Sequence, residues 1–395
     1  MKHPIFTTNA LSSAIAAVGL LTIVAPTFAQ ETSELKEVNV TAQKRVQASS
    51  KVPLALSVVD GDDIKSKGVS TLANITDLVP NVMMGVGNAN GMEITIRGIG
   101  SSDNTERGDP EAAFHIDGVY IGRPQGAGAT FFDVERVEIL RGPQGTLYGR
   151  NANAGAVNVI PNKPSNKFEG AIATEGGNWG ATKLEGMVNV PVSEAFALRA
   201  VVSQQKHDGY ADTANATTGF SQDRDDKNNL SGRIQGLMRF SPSASLRVGI
   251  DTSHDTGAGR AMYDITNGAM PTSRTLNTQV EGKLDNKSNG VTSELKYGLG
   301  VADLAYLFAH RESARSEVNS LGAAPNVYAN YGESFKQDSH EMRLSSTDTG
   351  ALQWVLGAYY YKEVGHNLDL DVMLPAAWGG GRAIHFVQDP ATSES

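Results

Sequence analysis

Residues 229–240 read NLSGRIQGLMRF, and their side chains sort onto two faces with a period of two. Leu230, Gly232, Ile234, Gly236, Met238 and Phe240 fall on one face, Ser231, Arg233, Gln235 and Arg239 on the other, with Leu237 the exception. Successive side chains of an extended chain point to opposite sides, so this pattern is a strand with one apolar and one charged surface. Phe196, Leu198, Ala200 and Val202 alternate in the same way against Arg199 and Ser203, and Leu246, Val248 and Ile250 against Arg247 and Asp251. Leu304, Tyr306 and Phe308, and then Leu352, Trp354, Leu356, Ala358 and Tyr360, repeat it. Two environments impose such a pattern: lipid outside with water inside, or the dry middle of a soluble sandwich.

The connections separate these two. Nine strands are expected, at roughly 168–177, 182–192, 196–208, 227–240, 246–255, 290–299, 303–316, 335–346 and 351–365. The joins 192–195, 241–245, 300–302 and 346–350 are short, whereas 208–226, 256–289 and 317–334 are long and polar; among the joins at that second end only 176–181 is brief. Short turns at one end and long loops at the other match a membrane barrel, and a sandwich has no reason to keep them apart. The expected fold is therefore a transmembrane β-barrel. Nine is odd where single-chain bacterial barrels close with an even number, and the sequence stops in the polar stretch Ala391-Thr392-Ser393-Glu394-Ser395. The barrel is accordingly expected to be incomplete, an N-terminal part with somewhat under half its strands, leaving edges that lipid cannot satisfy.

Residues 1–29 read as an export segment. Lys2 supplies a positive end, an apolar run follows from Ala14 to Val24, and Pro26-Thr27-Phe28-Ala29 gives a small-residue cleavage site. That run is about eleven residues, short of the roughly twenty that span a bilayer as a helix. The exported chain is expected to begin at Gln30. The full sequence has no cysteine, and its eight histidines are scattered without a His-x-x-x-His pair, so no metal centre and no cofactor are expected. A net charge of −9 and a pI near 5.4 argue against nucleic acid as a partner.

Between the leader and the alternating strands, residues 51–165 have the texture of a small α/β domain. Leu54–Val59 reads as a strand, Gly61-Asp62-Asp63-Ile64 opens a helix with acid at its N-terminus, and 71–78 is helix-like up to Val79-Pro80. Residues 93–100 (EITIRGIG) and 114–120 (FHIDGVY) read as strands closed by turns, with polar loops at 101–111 and 122–130. The densest stretch is 131–160, FFDVERVEILRGPQGTLYGRNANAGAVNVI, where a strand runs into Arg141-Gly142-Pro143-Gln144-Gly145 and a second strand begins at Ala156. Gly-Arg-Asn at 149–151 is not a phosphate loop, and Gly98-Ile99-Gly100 does not continue into a dinucleotide fingerprint. There is also no Gly-x-Ser-x-Gly and no His-Glu-x-x-His, so an exported enzyme finds no support.

Residues 133–160 resemble, close to residue for residue, the end of the plug domain of TonB-dependent outer-membrane receptors. ITIRGIG, FHIDGVY and FDVERVEILRGPQG stand in the order such a plug has them. The resemblance marks Arg97, Gly98, Asp117, Gly118, Arg141, Gly142, Pro143, Gly145, Tyr148, Gly149, Arg150 and Asn151 as plug-motif positions. It divides the chain into a signal peptide at 1–29, a TonB-box segment and linker at 30–50, a plug at 51–165 and barrel from 166 to 395. Within 30–50, Glu37, Val38, Asn39, Val40, Thr41 and Ala42 resemble the TonB box, an extended peptide fit for strand addition to the protein TonB.

The resemblance implies active uptake of a scarce ligand across the outer membrane, powered by TonB with the inner-membrane energising complex. A ferric siderophore is the expected cargo; haem, cobalamin or an oligosaccharide are alternatives, and a passive porin-like channel is a further one. Asn104, Arg107, Arg123 and Tyr263 are the candidate ligand contacts in apical loops. Glu135, Arg136, Glu138, Arg141 and Arg150 form a charged plug face that is either solvated or set against a wet barrel wall, where ion pairs can hold it and still break.

Overall fold

The computed structural model describes residues 38–69, 71–86, 92–101, 109–123, 131–215, 218–261, 274–276, 278–320, 328–347, 352–373, 383–388 and 392–394. The leader 1–29, Glu37, Asn104, Arg107 and Tyr263 lie outside them.

The first unit starts with a two-rung hairpin, β1 (Asn39–Val40) against β2 (Gln47–Ala48). There follow a 3-10 turn at Ser49–Lys51, β3 (Ala55–Asp60), α1 (Gly61–Ser66), a longer 3-10 segment at Leu72–Asp77, β4 (Val82–Val86), β5 (Met92–Ile96), β6 (Ala112–Ile116), β7 (Val119–Tyr120), β8 (Val134–Arg141), α2 (Gly145–Tyr148) and β9 (Gly155–Pro161). Asp60 caps α1 by accepting from the Asp63 amide at 2.7 Å, and Asp62 and Asp63 lie in its first turn as the dipole favours. The stretch expected to be helical at 71–78 is only the longer 3-10 segment, held by a reciprocal Thr71–Asn74 cap. FHIDGVY is not one strand but the tight hairpin β6–β7. Asp117 (φ +53°) and Gly118 (φ +83°) supply the two left-handed residues such a turn requires.

Five strands form the sheet in the order β3-β8-β9-β6-β7, with β6 parallel to β9 and the other pairings antiparallel. Val59, Ile64, Leu72, Ile75, Phe114, Val137, Ile139, Val157 and Val159 make its core. A fully buried side chain of this size contributes about 2 kcal/mol by removal from water. Gly155 lets β9 meet β8: a Cβ there would strike the Leu140 carbonyl oxygen.

The second unit is one antiparallel sheet. Its strands are β10 (Glu169–Gly176), β11 (Thr182–Pro191) and β12 (Phe196–His207), then, after a small outer hairpin of β13 (Ala211–Asn215) and β14 (Phe220–Arg224), β15 (Lys227–Ser241) and β16 (Ala244–Gly257). A short β17 (Thr275–Leu276) joins β13 in parallel. The sheet continues through β18 (Lys283–Gly298), β19 (Ala302–Ser320), β20 (Tyr328–Ser346) and β21 (Val355–Met373). These nine long strands are the nine expected, but the chain does not trail off after residue 365: β22 (Ala383–Gln388) and β23 (Thr392–Glu394) both pair with β21, a tenth position in two pieces. The sheet does not close, since β10 and this tenth position are its two ends.

The faces sort as a membrane wall requires. Ile172 is 81 % exposed and Leu356 66 %, along with Val202, Leu230, Ile234 and Ile250, while Arg199, Arg233, Gln235, Arg247 and Arg311 on the opposite parity are buried against the first unit. The chain is an α/β plug seated against the polar face of a partial transmembrane β-barrel. No described helix is long and apolar enough to cross a membrane.

Candidate functional site

The N-terminal ribbon is docked. Val40 and Ala42 are fully buried, the β1–β2 pairing ties Asn39 and Val40 back onto residues 47–48, and Val38 accepts from the Ser49 amide at 2.8 Å. Thr41 donates its backbone N–H to Glu138 Oε1 at 2.8 Å, and its hydroxyl lies 3.2 Å from Glu138 Oε2. Lys44 reaches the wall, pairing with Glu341 at 3.2 Å and lying 5.0 Å from the Tyr148 ring centre. Burial lowers the Lys44 pKa, and Glu341 opposes that. Arg45 donates to Gln353 at 3.1 Å. The ribbon therefore touches both plug and barrel at the short-turn end.

Of the two settings expected for the charged plug face, solvent or the barrel wall, most of these residues take neither and bond within the plug. Glu138 is fully buried and takes Arg136 Nε at 2.8 Å, and Arg136 also pairs with Glu135, so these three bond among themselves and to Thr41. Arg141 bonds Ser57 at 2.8 Å and Pro80 at 3.3 Å, both within the plug. Only Arg150, held by Asp109 at 3.1 Å, reaches the barrel, its guanidinium 5.2 Å from the Tyr361 ring centre.

The plug–wall ion pairs come from other residues. Asp133, just before β8, is gripped by Arg199 at 2.7 Å, with both side chains 5 % exposed. Close by, Arg233 stacks 4.5 Å from the Phe132 ring centre, Gln235 donates to the Asn162 carbonyl at 3.3 Å, and Arg239 to Asn166 at 2.6 Å. At the β6–β7 tip, Asp117 pairs with Arg247, which also holds Glu294 at 3.0 Å, and Asn158 accepts from the Gly118 amide at 3.2 Å. Gln337 bridges the far side of this hairpin, donating to the Tyr120 carbonyl at 2.6 Å and accepting from the Gly122 amide at 3.2 Å. The arginines at 199, 233 and 247 were visible in the sequence as the polar face of their strands; their plug partners were not.

The plug-motif residues gather around this frame. Arg97 (φ +54°) and Gly98 (φ +79°) turn the chain after β5, and the Arg97 amide donates to Asn81 at 2.8 Å. Gly142, Pro143, Gly145 and Gly149 lead into and out of α2, whose Tyr148 is buried. Asn151 donates to the Tyr120 hydroxyl at 2.7 Å and to Asp109 at 3.1 Å. Burial pushes Tyr120 up to about 12 and raises Tyr148 as well. His115 stacks edge-on against both tyrosines, its Nδ1 buried without a hydrogen-bond partner among the described residues. Burial, reinforced by Lys44, holds it well below the usual histidine range.

Of the candidate ligand contacts only Arg123 is described. It binds Glu363 at 3.0 Å and lies 4.9 Å from the Phe335 ring centre, packed between plug and wall. No cluster of three or more His, Asp or Glu side chains suited to a metal ion occurs among the described residues.

Residues 48–156 match the family model described as the TonB-dependent Receptor Plug Domain. The chain is 30% identical over 264 residues to the vitamin B12 transporter BtuB of Vibrio vulnificus strain CMCP6, covering 63% of this chain and 41% of that protein. It is 31% identical over 207 residues to the pesticin receptor of Yersinia enterocolitica, covering 49% of this chain and 28% of that one. Among solved structures, the ferric yersiniabactin uptake receptor FyuA from Yersinia pestis aligns with a TM-score of 0.71 at 20% identity, over 82% of this chain and 50% of that one. The ferripyoverdine receptor of the outer membrane of Pseudomonas aeruginosa aligns at 0.67 and 16% identity, over 90% and 50%. The chain thus spans about half the length, or less, of the relatives it matches.

Proposed function

Because the chain carries the plug domain and leading barrel strands of a TonB-dependent outer-membrane receptor, we propose that the full-length receptor actively imports a scarce nutrient, with a ferric siderophore as cargo. The observation that carries this reading is the ribbon at 38–48. It is folded back as a short hairpin, contacts the plug through Thr41 and the wall through Lys44, and lies at the short-turn end, where release of this docking would present it to a partner on the inner side. A polar barrel wide enough for a nutrient leaks unless corked, and the outer membrane holds no ATP. Work on the cork must therefore arrive through a physical link.

In this reading the leader 1–29 is cleaved, Glu37 to Ala42 add a strand to TonB, and 51–165 form the movable plug within the barrel that begins at 166. Asn104, Arg107, Arg123 and Tyr263 belong to the ligand side, and Arg123 must exchange Glu363 for ligand if it makes that contact. The named relatives span vitamin B12, pesticin and ferric siderophores, so haem, cobalamin and oligosaccharide remain alternative cargoes.

The test is Val38→Pro and Val40→Pro in the full-length receptor. Each removes a pairing N–H, so energised uptake is expected to vanish while ligand binding persists; unchanged uptake rejects the assignment. Growth of a deletion strain on a panel of iron and carbon sources identifies the cargo. Free leakage in liposome swelling would instead favour a passive channel.

A further inference from the structure

The lipid-facing side of the sheet is not evenly filled. Over β18–β21 its outward positions carry large side chains, among them Leu295, Tyr306, Phe308, Met342, Leu356 and Tyr360. Over β10–β16 a groove of about 620 Å³ crosses the same face, with Ile172, Val188, Val202, Ile234 and Ile250 standing along it, all of them exposed. That is within the roughly 300–1,000 Å³ of small-molecule sites.

The register explains the dip. One row across the sheet reads Ile172, Gly186, Val202, Gly232, Thr252, and the next row on the inner side Gly170, Val188, Ala200, Ile234, Ile250. Gly186 and Gly232 leave gaps on either side of Val202, and Ala200 joins them. Neither glycine is demanded by the sheet. A Cβ at Gly186 would meet nothing nearer than Val202 Cγ1 at 3.8 Å, one at Gly232 nothing nearer than the Val201 carbonyl oxygen at 3.7 Å, and neither residue has a left-handed backbone. Glycine weakens a strand interior, and where packing within the sheet does not call for it, it marks close approach by something outside.

Polar groups stand above the groove. Four residues beyond Val202, about 13 Å along β12 toward the long-loop end, Lys206 projects from the same face. On neighbouring strands His254 and Lys287 both bind Asp285, at 3.0 and 3.2 Å, whereas Lys206 is exposed and has no ion pair among the described residues. Farther out, past the ends of β10 and β12, the Arg274 guanidinium lies 5.6 Å from the Trp179 ring centre and 5.8 Å from that of Tyr210, and both rings are exposed. From membrane to loops the surface runs from apolar trough to cation to aromatic platform.

We propose that this strip holds one molecule of a phosphorylated glycolipid of the outer leaflet. An acyl chain lies over Gly186, Ala200 and Gly232, a phosphate pairs with Lys206, and the sugar packs its C–H face on Trp179 and Tyr210. The three features follow one another in the order of the lipid's own parts. The groove faces hydrocarbon in a membrane barrel, so its occupant comes from the bilayer, and Lys206 selects an anionic headgroup. The site belongs to the barrel wall and does not depend on the cargo or on the ribbon.

The full-length receptor is purified in a mild detergent and its retained lipids are counted by native mass spectrometry. One acylated phosphosugar lipid per receptor is expected. Filling the groove with Gly186→Leu and Gly232→Leu is expected to lower retention about tenfold, whereas Thr174→Leu, on the same face outside the groove, leaves it unchanged. Lys206→Glu is expected to lower it about tenfold as well. In a second arm the delipidated receptor is offered lipid A with both phosphates or with none, and only the phosphorylated form should bind at one per receptor.

Equal binding of the two forms, ordinary phospholipid retained in place of glycolipid, or a receptor dimer that dissociates when the groove is filled would each overturn the proposal. Should the double leucine variant lack the calorimetric transition of a folded barrel, Lys206→Glu decides, since its exposed side chain supports no packing. Unchanged retention in that variant rejects the site.

Discussion

Lys44 and Glu341 meet at 3.2 Å across 297 residues of sequence, and they join the N-terminal ribbon to the barrel wall. Both side chains are largely shielded, and Glu341 has a second cation in Arg343 at 3.2 Å. Lys44→Gln therefore leaves no bare buried charge, and the loss is that of one charge-assisted bond, about 2 kcal/mol. The undocked population of the ribbon is expected to grow about thirtyfold. A spin label at Val46, whose side chain is already exposed, should change from a mixed to a mobile line shape. An unaltered spectrum would mean that Thr41 and the β1–β2 pairing hold the ribbon without help.

Arg199 and Asp133 present the opposite case, a pair with no spare partner of equal quality. Arg199→Met strands Asp133 in a site closed to water and is expected to destabilise the seated plug by about 3 kcal/mol or more. The measurement is the urea concentration at which the plug of the folded receptor becomes open to trypsin. Adding Asp133→Asn removes the stranded charge and is expected to recover much of the loss. Asparagine tolerates the left-handed backbone at this position (φ +48°) and can still accept from Asn162, now 2.9 Å away. No recovery in the double variant would assign the effect to lost packing of the arginine stem.

How much of this was legible follows from range. The alternation of Leu230 to Phe240 is local and is imposed by lipid, so the long strands could be read directly. The reading stopped short wherever both faces are wet: β18 begins at Lys283 rather than near 290, and β20 at Tyr328 rather than near 335, because residues such as Asp285, Asn286 and Lys287 do not alternate in polarity. The plug motif was legible through resemblance, but Asp117 and Asp133 as anchors were not. They sit in turns where acid is expected for backbone reasons alone, and their arginines lie on β16 and β12, far along the chain. Glu138 misled in the other direction. Its alternation with Glu135 and Arg136 suggested a face turned to water or wall, yet it is fully buried beneath Thr41, a ribbon contact no pattern encodes.

His115 makes the stability of the plug depend on pH in a direction that can be worked out. Burial, then Lys44, depresses its folded pKa, so the unfolded chain takes up a proton first, near the ordinary value of 6.5. Above that pH both states are neutral and the residue has no effect. As pH falls below it the plug loses stability by up to about 1.4 kcal/mol per unit until the folded pKa is reached. The urea midpoint for plug opening is expected to drop between about pH 7 and about pH 5, and His115→Phe, which keeps an aromatic ring between Tyr120 and Tyr148, should flatten that slope. Equal slopes in the two proteins would place the titration elsewhere.

Gly155 tests the joint between β8 and β9 on which the plug sheet depends. Its φ of +152° and the Leu140 carbonyl leave no room for a methyl group, and the obstacle is backbone held in the sheet rather than a side chain that can swing away. Gly155→Ala must push the strands apart at the rung where Arg141 pairs with Gly155, beside the Leu140–Ala156 rung. A loss of about 3 kcal/mol is expected, from overpacking and left-handed strain together. The barrel strands do not share this joint, so calorimetry of the folded receptor should show the plug transition moved down and the barrel transition unmoved. Gly145→Ala is the matched control: it lies in α2 with open space around its Cβ position and an ordinary φ, so its plug transition should stay where it is. If Gly155→Ala behaves like Gly145→Ala, then β9 can shift without loss and the joint is not what sets the plug's stability.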